Sequence, residues 1–298
     1  MQIELKNISF GYTKNNKVLN NLSIQVPKGA IYGFIGPNGV GKSTVMQLIT
    51  GILSTDEGEV SVFEKPLKKQ IPTIFNRIGA LVESPALYLH LSGIDNLRCV
   101  TILKNIAATK IPEVLEIVGL SKNGKQKVKK YSLGMKQRLA IAMTLLGDPE
   151  LLLLDEPVNG LDPSGINDIR ALLIKLNREK GVTIFISSHL LSEIEKICTH
   201  IGIINQGEMK FEGTIQELSN RDDNFKISVI SKDISDYLEL IESEYGKVHV
   251  EDSNIILVGL KNRDAIPEFV KFMIKNNIPV YGIRAIDNLE EKFFSLTK

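Results

Sequence analysis

Residues 36–44 read Gly36, Pro37, Asn38, Gly39, Val40, Gly41, Lys42, Ser43 and Thr44. Glycine at the first and sixth places followed by Lys-Ser is the spacing of a phosphate-binding loop. Glycine permits tight turns that aim successive amide N–H groups inward, and a helix over residues 42–49 adds its positive end to the same anion. Lys42 can reach the β- and γ-phosphates, and Ser43 can offer its hydroxyl to a Mg²⁺ that bridges phosphate oxygens. The apolar run 30–35 before the loop reads as a buried strand, and Gly51 is placed to end the helix in a left-handed conformation. This context sets aside a fortuitous glycine-rich turn. The stretch predicts binding of a nucleoside triphosphate with Mg²⁺.

Further residues have the types that such a site needs. The apolar run 151–154 ends in Asp155-Glu156-Pro157, the pattern of a buried parallel strand delivering acids at its carboxyl end, where open α/β sheets bind ligands. Asp155 can hold the Mg²⁺ shell, commonly through water, and Glu156 can orient the attacking water or take its proton. A second buried strand, residues 182–187, leads to His189, whose place beyond a strand end favours the site over a structural role. Ser132 is a natural N-cap for an apolar helix running to about residue 146, and a cap with free amides behind it can also hold a phosphate oxygen. Tyr12 is expected in a loop between two strands, where its ring can lie against a purine or cover the sheet edge.

Around these residues the chain shows an α/β pattern. Alternation at Ile3, Leu5 and Ile8, a turn at Asn15-Asn16 and a strand over 18–26 predict an antiparallel sheet beside the nucleotide core. Short strands are expected over 58–63 and 78–82, and helical periodicity over 92–120, with Ser92 and Asp95 as a capping box and Pro112 near a second helix start. Five lysines between 122 and 130 read as a solvated loop. Beyond residue 218, residues 219–224 read as a linker. Residues 225–298 follow as strand, helix, strand, strand, helix, strand, the order of a ferredoxin-like α+β unit, with a hairpin at Asp252-Ser253-Asn254. A last helix carries Leu289, Phe293 and Leu296 on one face, suited to packing.

Composition bounds the rest. The chain has 298 residues with 43% hydrophobic content, enough for one large domain or for one medium domain plus a small one. A net charge of +1 gives no electrostatic ground for nucleic acid, and none is expected as a partner. Cys99 and Cys198 stand apart without metal-ligand spacing and are expected as buried thiols in a reducing compartment. The sequence opens on a strand pattern and has no run of membrane-spanning length, so neither a signal peptide nor a membrane span is expected.

Taken together, these motifs resemble the ATP-binding subunit of ATP-binding cassette (ABC) transporters over residues 1–218, with an inserted helical subdomain at about 84–148. The resemblance implies a P-loop NTPase fold with a parallel core sheet, an antiparallel β subdomain and ATPase activity with ATP and Mg²⁺. It gives Tyr12 adenine stacking, residues 36–44 the Walker A loop, residues 131–137 the signature motif, Asp155 and Glu156 the Walker B acids, Asp162 the D-loop and His189 the switch histidine. It also implies that two cassettes pair head to tail. Ser132 and the amide of Gly134 from one subunit then contact the γ-phosphate held by Lys42 in the other, with Glu156 as base and His189 keeping water and phosphate in register. The implied partners are a second copy and an integral membrane permease, and the implied location is cytoplasmic, on the inner face of the cell membrane.

Two departures from the family pattern matter. The signature reads Ser132-Leu133-Gly134-Met135, where the commonest form is Ser-Gly-Gly-Gln, yet the serine and second glycine are kept. Glu83, in 79–85, stands where the family usually has a glutamine that touches Mg²⁺ and the membrane subunit. A carboxylate still accepts from water or binds metal but lacks the amide donor. This glutamate loop, and the C-terminal extension, are similar to those of lantibiotic immunity and bacitracin resistance exporters, which implies export of an antimicrobial peptide or other hydrophobic compound. The competing readings are a soluble cassette ATPase acting on ribosomes or nucleic acid, and a regulatory module that binds ATP without hydrolysing it. The single cassette, without long coiled coils, speaks against the first, and the presence of Glu156 and His189 against the second.

Overall fold

A computed structural model describes all residues except 14–15, 84–85, 220–224, 287–291, 294–295 and 298. In chain order the first part contains β1 (Ile3–Thr13), β2 (Asn16–Val26), β3 (Ile31–Ile35), α1 (Lys42–Ile49), β4 (Glu57–Val62), β5 (Lys65–Pro66) and β6 (Ile78–Leu81). There follow α2 (Gly93–Leu103), α3 (Lys110–Ile117), α4 (Leu133–Leu145), β7 (Leu151–Asp155), α5 (Pro163–Lys180), β8 (Thr183–Ser188), α6 (Leu191–Ile194), β9 (His200–Asn205), β10 (Glu208–Thr214) and α7 (Ile215–Ser219).

The core sheet has the order β10-β9-β3-β8-β7-β6. Strands β9, β3, β8, β7 and β6 run parallel, and β10 closes one edge antiparallel. Every residue of β3 and β8 is buried, as continuous apolar strands with helices on both faces require. Register brings the carboxyl ends of four of these strands into line, because Ile35 pairs with Ser188, Asp155 with Ser187 and Leu81 with Leu154. The loop 36–41, Glu156, His189 and Glu83 therefore all emerge at one edge of one sheet.

A second sheet, β2-β1-β4-β5, is antiparallel. Its inward residues, among them Ile3, Leu5, Ile24 and Val62, share a core with Phe34, Met46, Leu153 and Phe185. Tyr12 belongs to β1, one residue before its end, and not to a loop: pairing of Thr13 with Asn16 carries the ladder past it. Of the expected turn, Asn15 lies outside the described residues, as do Ser84 and Pro85 of the glutamate loop.

Between β6 and β7 the inserted helices are α2, α3 and α4. The side chain of Ser92 caps α2 by accepting from Asp95 N–H at 3.1 Å; its own hydroxyl engages the Asp95 carboxylate. The lysine-rich stretch is not a plain solvated loop. It folds into two 3₁₀ turns, Ser121–Asn123 and Val128–Lys130, anchored by buried Val128 and by the Tyr131 hydroxyl donating to Asn123 O at 2.8 Å, while its five lysines stay exposed. Cys198 is buried, but Cys99 is only half-buried, because α2 turns its side towards the surface there.

Contacts divide the chain into two compact units, Met1–Ile215 with Leu296–Lys298, and Gln216–Ser295. The second contains β11 (Phe225–Ile230), α8 (Leu238–Tyr245), β12 (His249–Asp252), β13 (Ile255–Leu260), α9 (Ile266–Lys275) and β14 (Gly282–Ile286). Its antiparallel sheet has the order β12-β13-β11-β14, with Ser253 and Asn254 turning the β12–β13 hairpin. The first helix expected there begins as a 3₁₀ turn, Ile234–Tyr237, and β14 starts two residues later than the apolar pattern suggests. The expected linker lies outside the described residues apart from Ser219, and so does Leu289 of the last helix.

Candidate functional site

The phosphate-loop residues follow β3 and lead straight into α1. Gly39 and Gly41 take φ of 81° and 107°, values that favour glycine. At Gly36 the constraint is space, since a Cβ would stand 2.4 Å from the Ile204 carbonyl oxygen. Helix α1 differs from its neighbours in one respect. Side chains of Ser92, Ser132 and Asp162 cap α2, α4 and α5, and α3, which has no side-chain cap, carries Glu113 in its first turn, whereas α1 has neither a side-chain cap nor an acidic residue there. Its first amides are thus left to an anion supplied from outside, which fits a phosphate. After α1, Gly51 takes φ of 70° and ends the helix as expected.

A cavity of about 770 Å³ opens above this loop. Tyr12, Asn38, Gly39, Gly41, Lys42, Ser43, Thr44, Glu83, Asp155 and Glu156 line it, together with Val18, Leu133, Gln137 and Asn159. The structure thus gathers most of the residues singled out above from four separate stretches. Gly36, Pro37 and Val40 belong to the loop without lining the cavity; Ser132, Gly134, Asp162 and His189 also stand outside its wall, His189 reaching it only through Glu156. Ser132 accepts from Met135 N–H at 3.2 Å, and Asp162 accepts from Gly165 N–H at 3.1 Å, both as helix caps.

Lys42, Glu156 and His189 form one linked set. The Lys42 Nζ donates to the carbonyls of Gly36 at 2.8 Å and Pro37 at 3.0 Å, and lies 3.7 Å from Glu156 Oε1. The other carboxylate oxygen of Glu156 meets His189 Nδ1 at 2.9 Å. With Nδ1 engaged there, Nε2 is the ring nitrogen left for a ligand. Burial lowers the Lys42 pKa below its ordinary value, against the opposing pull of the Glu156 and Asp155 carboxylates.

Sequence reasoning missed Ser187, which is fully buried at the end of β8. Its hydroxyl donates to Asp155 Oδ1 and accepts from Glu156 N–H at 3.0 Å. Glu156 takes φ of 46°, a conformation that costs a non-glycine residue about 1–3 kcal/mol and persists only where neighbours hold it. Ser187 is one of those neighbours, and its signal in the sequence was the hydroxyl pair Ser187-Ser188 closing a strand with an apolar middle. Gln47 was also missed; it contacts both Tyr12 and Glu83.

The residues present fit a divalent cation held chiefly by phosphate and water. Among the described residues no cluster of three or more His, Cys, Asp or Glu side chains could hold a metal alone. Ser43 is exposed at the cavity wall, and Asp155 keeps one carboxylate oxygen beyond the one Ser187 binds. Such a sparse set of hard oxygen donors suits Mg²⁺. No helix among the described residues is long and apolar enough to cross a membrane.

Comparison with known proteins agrees with this geometry. Residues 19–159 match the family described as ABC transporter. The chain is 37% identical over 301 residues to the bacitracin transport ATP-binding protein BcrA of Enterococcus faecalis, covering 99% of this chain and 96% of that protein. It is 40% identical over 228 residues to the lantibiotic transport ATP-binding protein SrtF of Streptococcus pyogenes, covering 76% of this chain and 97% of that one. Among solved structures, an ATP-binding cassette of an ABC transporter in its ADP conformation superposes with a TM-score of 0.66 at 27% identity, over 72% of this chain and 91% of that one. A dimeric cassette in a post-hydrolysis state bound to ADP and Pi gives 0.64 at 25% identity, over 72% and 98%. A P-loop ATPase core, a single set of cassette motifs and relatives matched end to end lead to one conclusion: this chain belongs to the ABC transporter ATP-binding proteins, the nucleotide-binding ATPases of those transporters.

Proposed function

We propose that this ATPase drives the export of an antimicrobial peptide or a related hydrophobic compound, acting as a homodimer on a membrane permease at the cytoplasmic face. The single observation that carries the catalytic part is the Lys42–Glu156–His189 set at the end of the parallel sheet, with 2.9 Å between Glu156 and His189. A module that only binds nucleotide has no use for a carboxylate held against an imidazole, so this pairing supports turnover. Support for the transported class comes from the bacitracin and lantibiotic transport relatives and from Glu83 in place of glutamine.

Each residue then has a task. The exposed Tyr12 ring stacks on adenine; its edge-to-face contact with Phe10, at 5.2 Å, leaves a ring face accessible. Loop amides from 36–44 and the Lys42 ammonium bind the β- and γ-phosphates. Mg²⁺, when bound, neutralises charge on the phosphate oxygens. Ser43, Asp155 and Glu83 would hold it. Glu156 takes the proton of the attacking water while His189, through Nε2, keeps the γ-phosphate in register. Ser132 and Gly134, which stay off the cavity wall of their own chain, serve the site of the second subunit, next to its D-loop at Asp162.

Sensitivity of the producing cell to peptide antibiotics tests the substrate class. Replacing the chromosomal copy with E156Q is expected to raise sensitivity to bacitracin-like or lantibiotic peptides. Unchanged sensitivity to both groups overturns the export reading without touching the ATPase assignment.

A further inference from the structure

Gln47 lies on α1, one turn beyond Thr44, and its side chain joins two cavity residues that the chain delivers from distant stretches. Its Nε2 donates to Glu83 Oε1 at 3.2 Å, and its Oε1 accepts from the Tyr12 hydroxyl at 3.3 Å. With the tyrosine proton committed to Gln47, the 3.1 Å contact between Tyr12 and Thr44 has the threonine as donor. The amide can sit only one way round, since the reverse would set its oxygen against the Glu83 carboxylate. Glu83 itself takes φ of 68°, which a non-glycine residue keeps only when its neighbours hold it.

We propose that Gln47 is a positioning residue that holds Glu83 at the metal side of the site and ties it to Tyr12 at the adenine side, supplying from α1 the amide that position 83 lacks. The inference rests on the reading of Glu83 as a Mg²⁺ contact given above. One Glu83 oxygen is engaged by the Gln47 amide, and the other is left for the metal or its water. A hydrogen bond to a charged acceptor is strong enough to select one carboxylate orientation.

The test uses the full chain as wild type, Q47L, E83A, the double variant and Q47K. A fluorescent ATP analogue is titrated at increasing Mg²⁺, beside ATPase rates measured over the same range. Q47L and E83A are each expected to raise the half-saturating Mg²⁺ concentration about 3- to 10-fold, the scale of one lost hydrogen bond. The readout is the ratio of analogue binding with and without Mg²⁺: Q47L also releases Tyr12 and can weaken both, but a purely structural lesion would lower both alike and leave that ratio unchanged. The double variant should match E83A alone, because Gln47 acts through Glu83. Q47K, which puts an ammonium in place of the neutral amide, should raise the half-saturating Mg²⁺ concentration at least as far as Q47L, because the new cation pairs with Glu83 in place of the metal; a wild-type Mg²⁺ dependence in Q47K would overturn the positioning role. A shifted E83A with an unmoved Q47L, or additive effects in the double variant, overturns the positioning role alone. An unmoved E83A overturns the metal reading of Glu83 and this inference with it.

Discussion

The parallel sheet of the cassette and the antiparallel sheet of the C-terminal unit both bury apolar strands, but they treat polar groups differently. At the carboxyl edge of the first, Lys42, Ser187 and Ser188 are buried, Glu156 and Glu83 hold left-handed backbone, and the polar groups are bound to one another. In the second, the core is Ile227, Val229, Ile256, Val258, Phe269, Met273 and similar residues, and Ser231 is the only fully buried polar residue described there. Burying polar groups is unfavourable unless each finds a partner, and strained backbone persists only where something holds it. The concentration of buried, mutually bonded polar groups at one edge marks a site maintained for chemistry; left-handed backbone does not separate the two regions, since Asp233 and Asn277 adopt it in the second unit. The scarcity of buried polar groups in the other unit marks a body whose interior serves packing.

This contrast can be broken experimentally. The largest effect is expected from K42M, which removes the only lysine at the phosphate loop; ATPase turnover should fall about 10²–10³-fold, as on losing a positioned electrostatic donor, while the fold is retained. Full activity in K42M would remove the reason for its burial. Next comes F269A in the C-terminal core, where truncating a fully buried phenylalanine should destabilise that unit by about 3–5 kcal/mol. Thermal unfolding should then show a separate, earlier transition while metal-free nucleotide binding by the cassette is unchanged; loss of nucleotide binding would refute the division of labour. The smallest effect concerns pH. Because burial lowers the folded-state pKa of Lys42, the unfolded chain binds more protons between that value and the ordinary 10.5, and stability contributed at this position rises with pH in that window. Denaturant unfolding of wild type relative to K42M should show the difference moving in favour of wild type as pH increases towards 10.5; a difference that moves the other way would contradict the direction of the shift.

Much of this architecture was legible in the residue pattern, for reasons that differ by element. Helix α1 and β11 fall where expected because a glycine loop or a clear alternation bounds them. The fold family follows from motif order alone. Tyr12 was misplaced into a loop because its strand continues past the last apolar residue, and only pairing with β2 shows this. The lysine stretch hid two 3₁₀ turns, since one buried valine among five lysines leaves no periodic signal. Ser187 and Gln47 escaped notice because their partners lie 32 and 31 residues away, and 35 and 36 away, in sequence. Strand register brings Ser187 to Asp155, and the packing of α1 beside the sheet edge brings Gln47 to Tyr12 and Glu83.

The most direct test of the central claim is substitution of the carboxylate that joins the cavity to His189. E156Q keeps the shape of the side chain but cannot take a proton. The variant should bind ATP as wild type does, lose about 10²–10⁴-fold in turnover and accumulate as an ATP-bound dimer on a sizing column. Turnover at the wild-type rate would contradict the assignment of Glu156 as the base, and an ATP-saturated variant that stays monomeric would contradict the shared site.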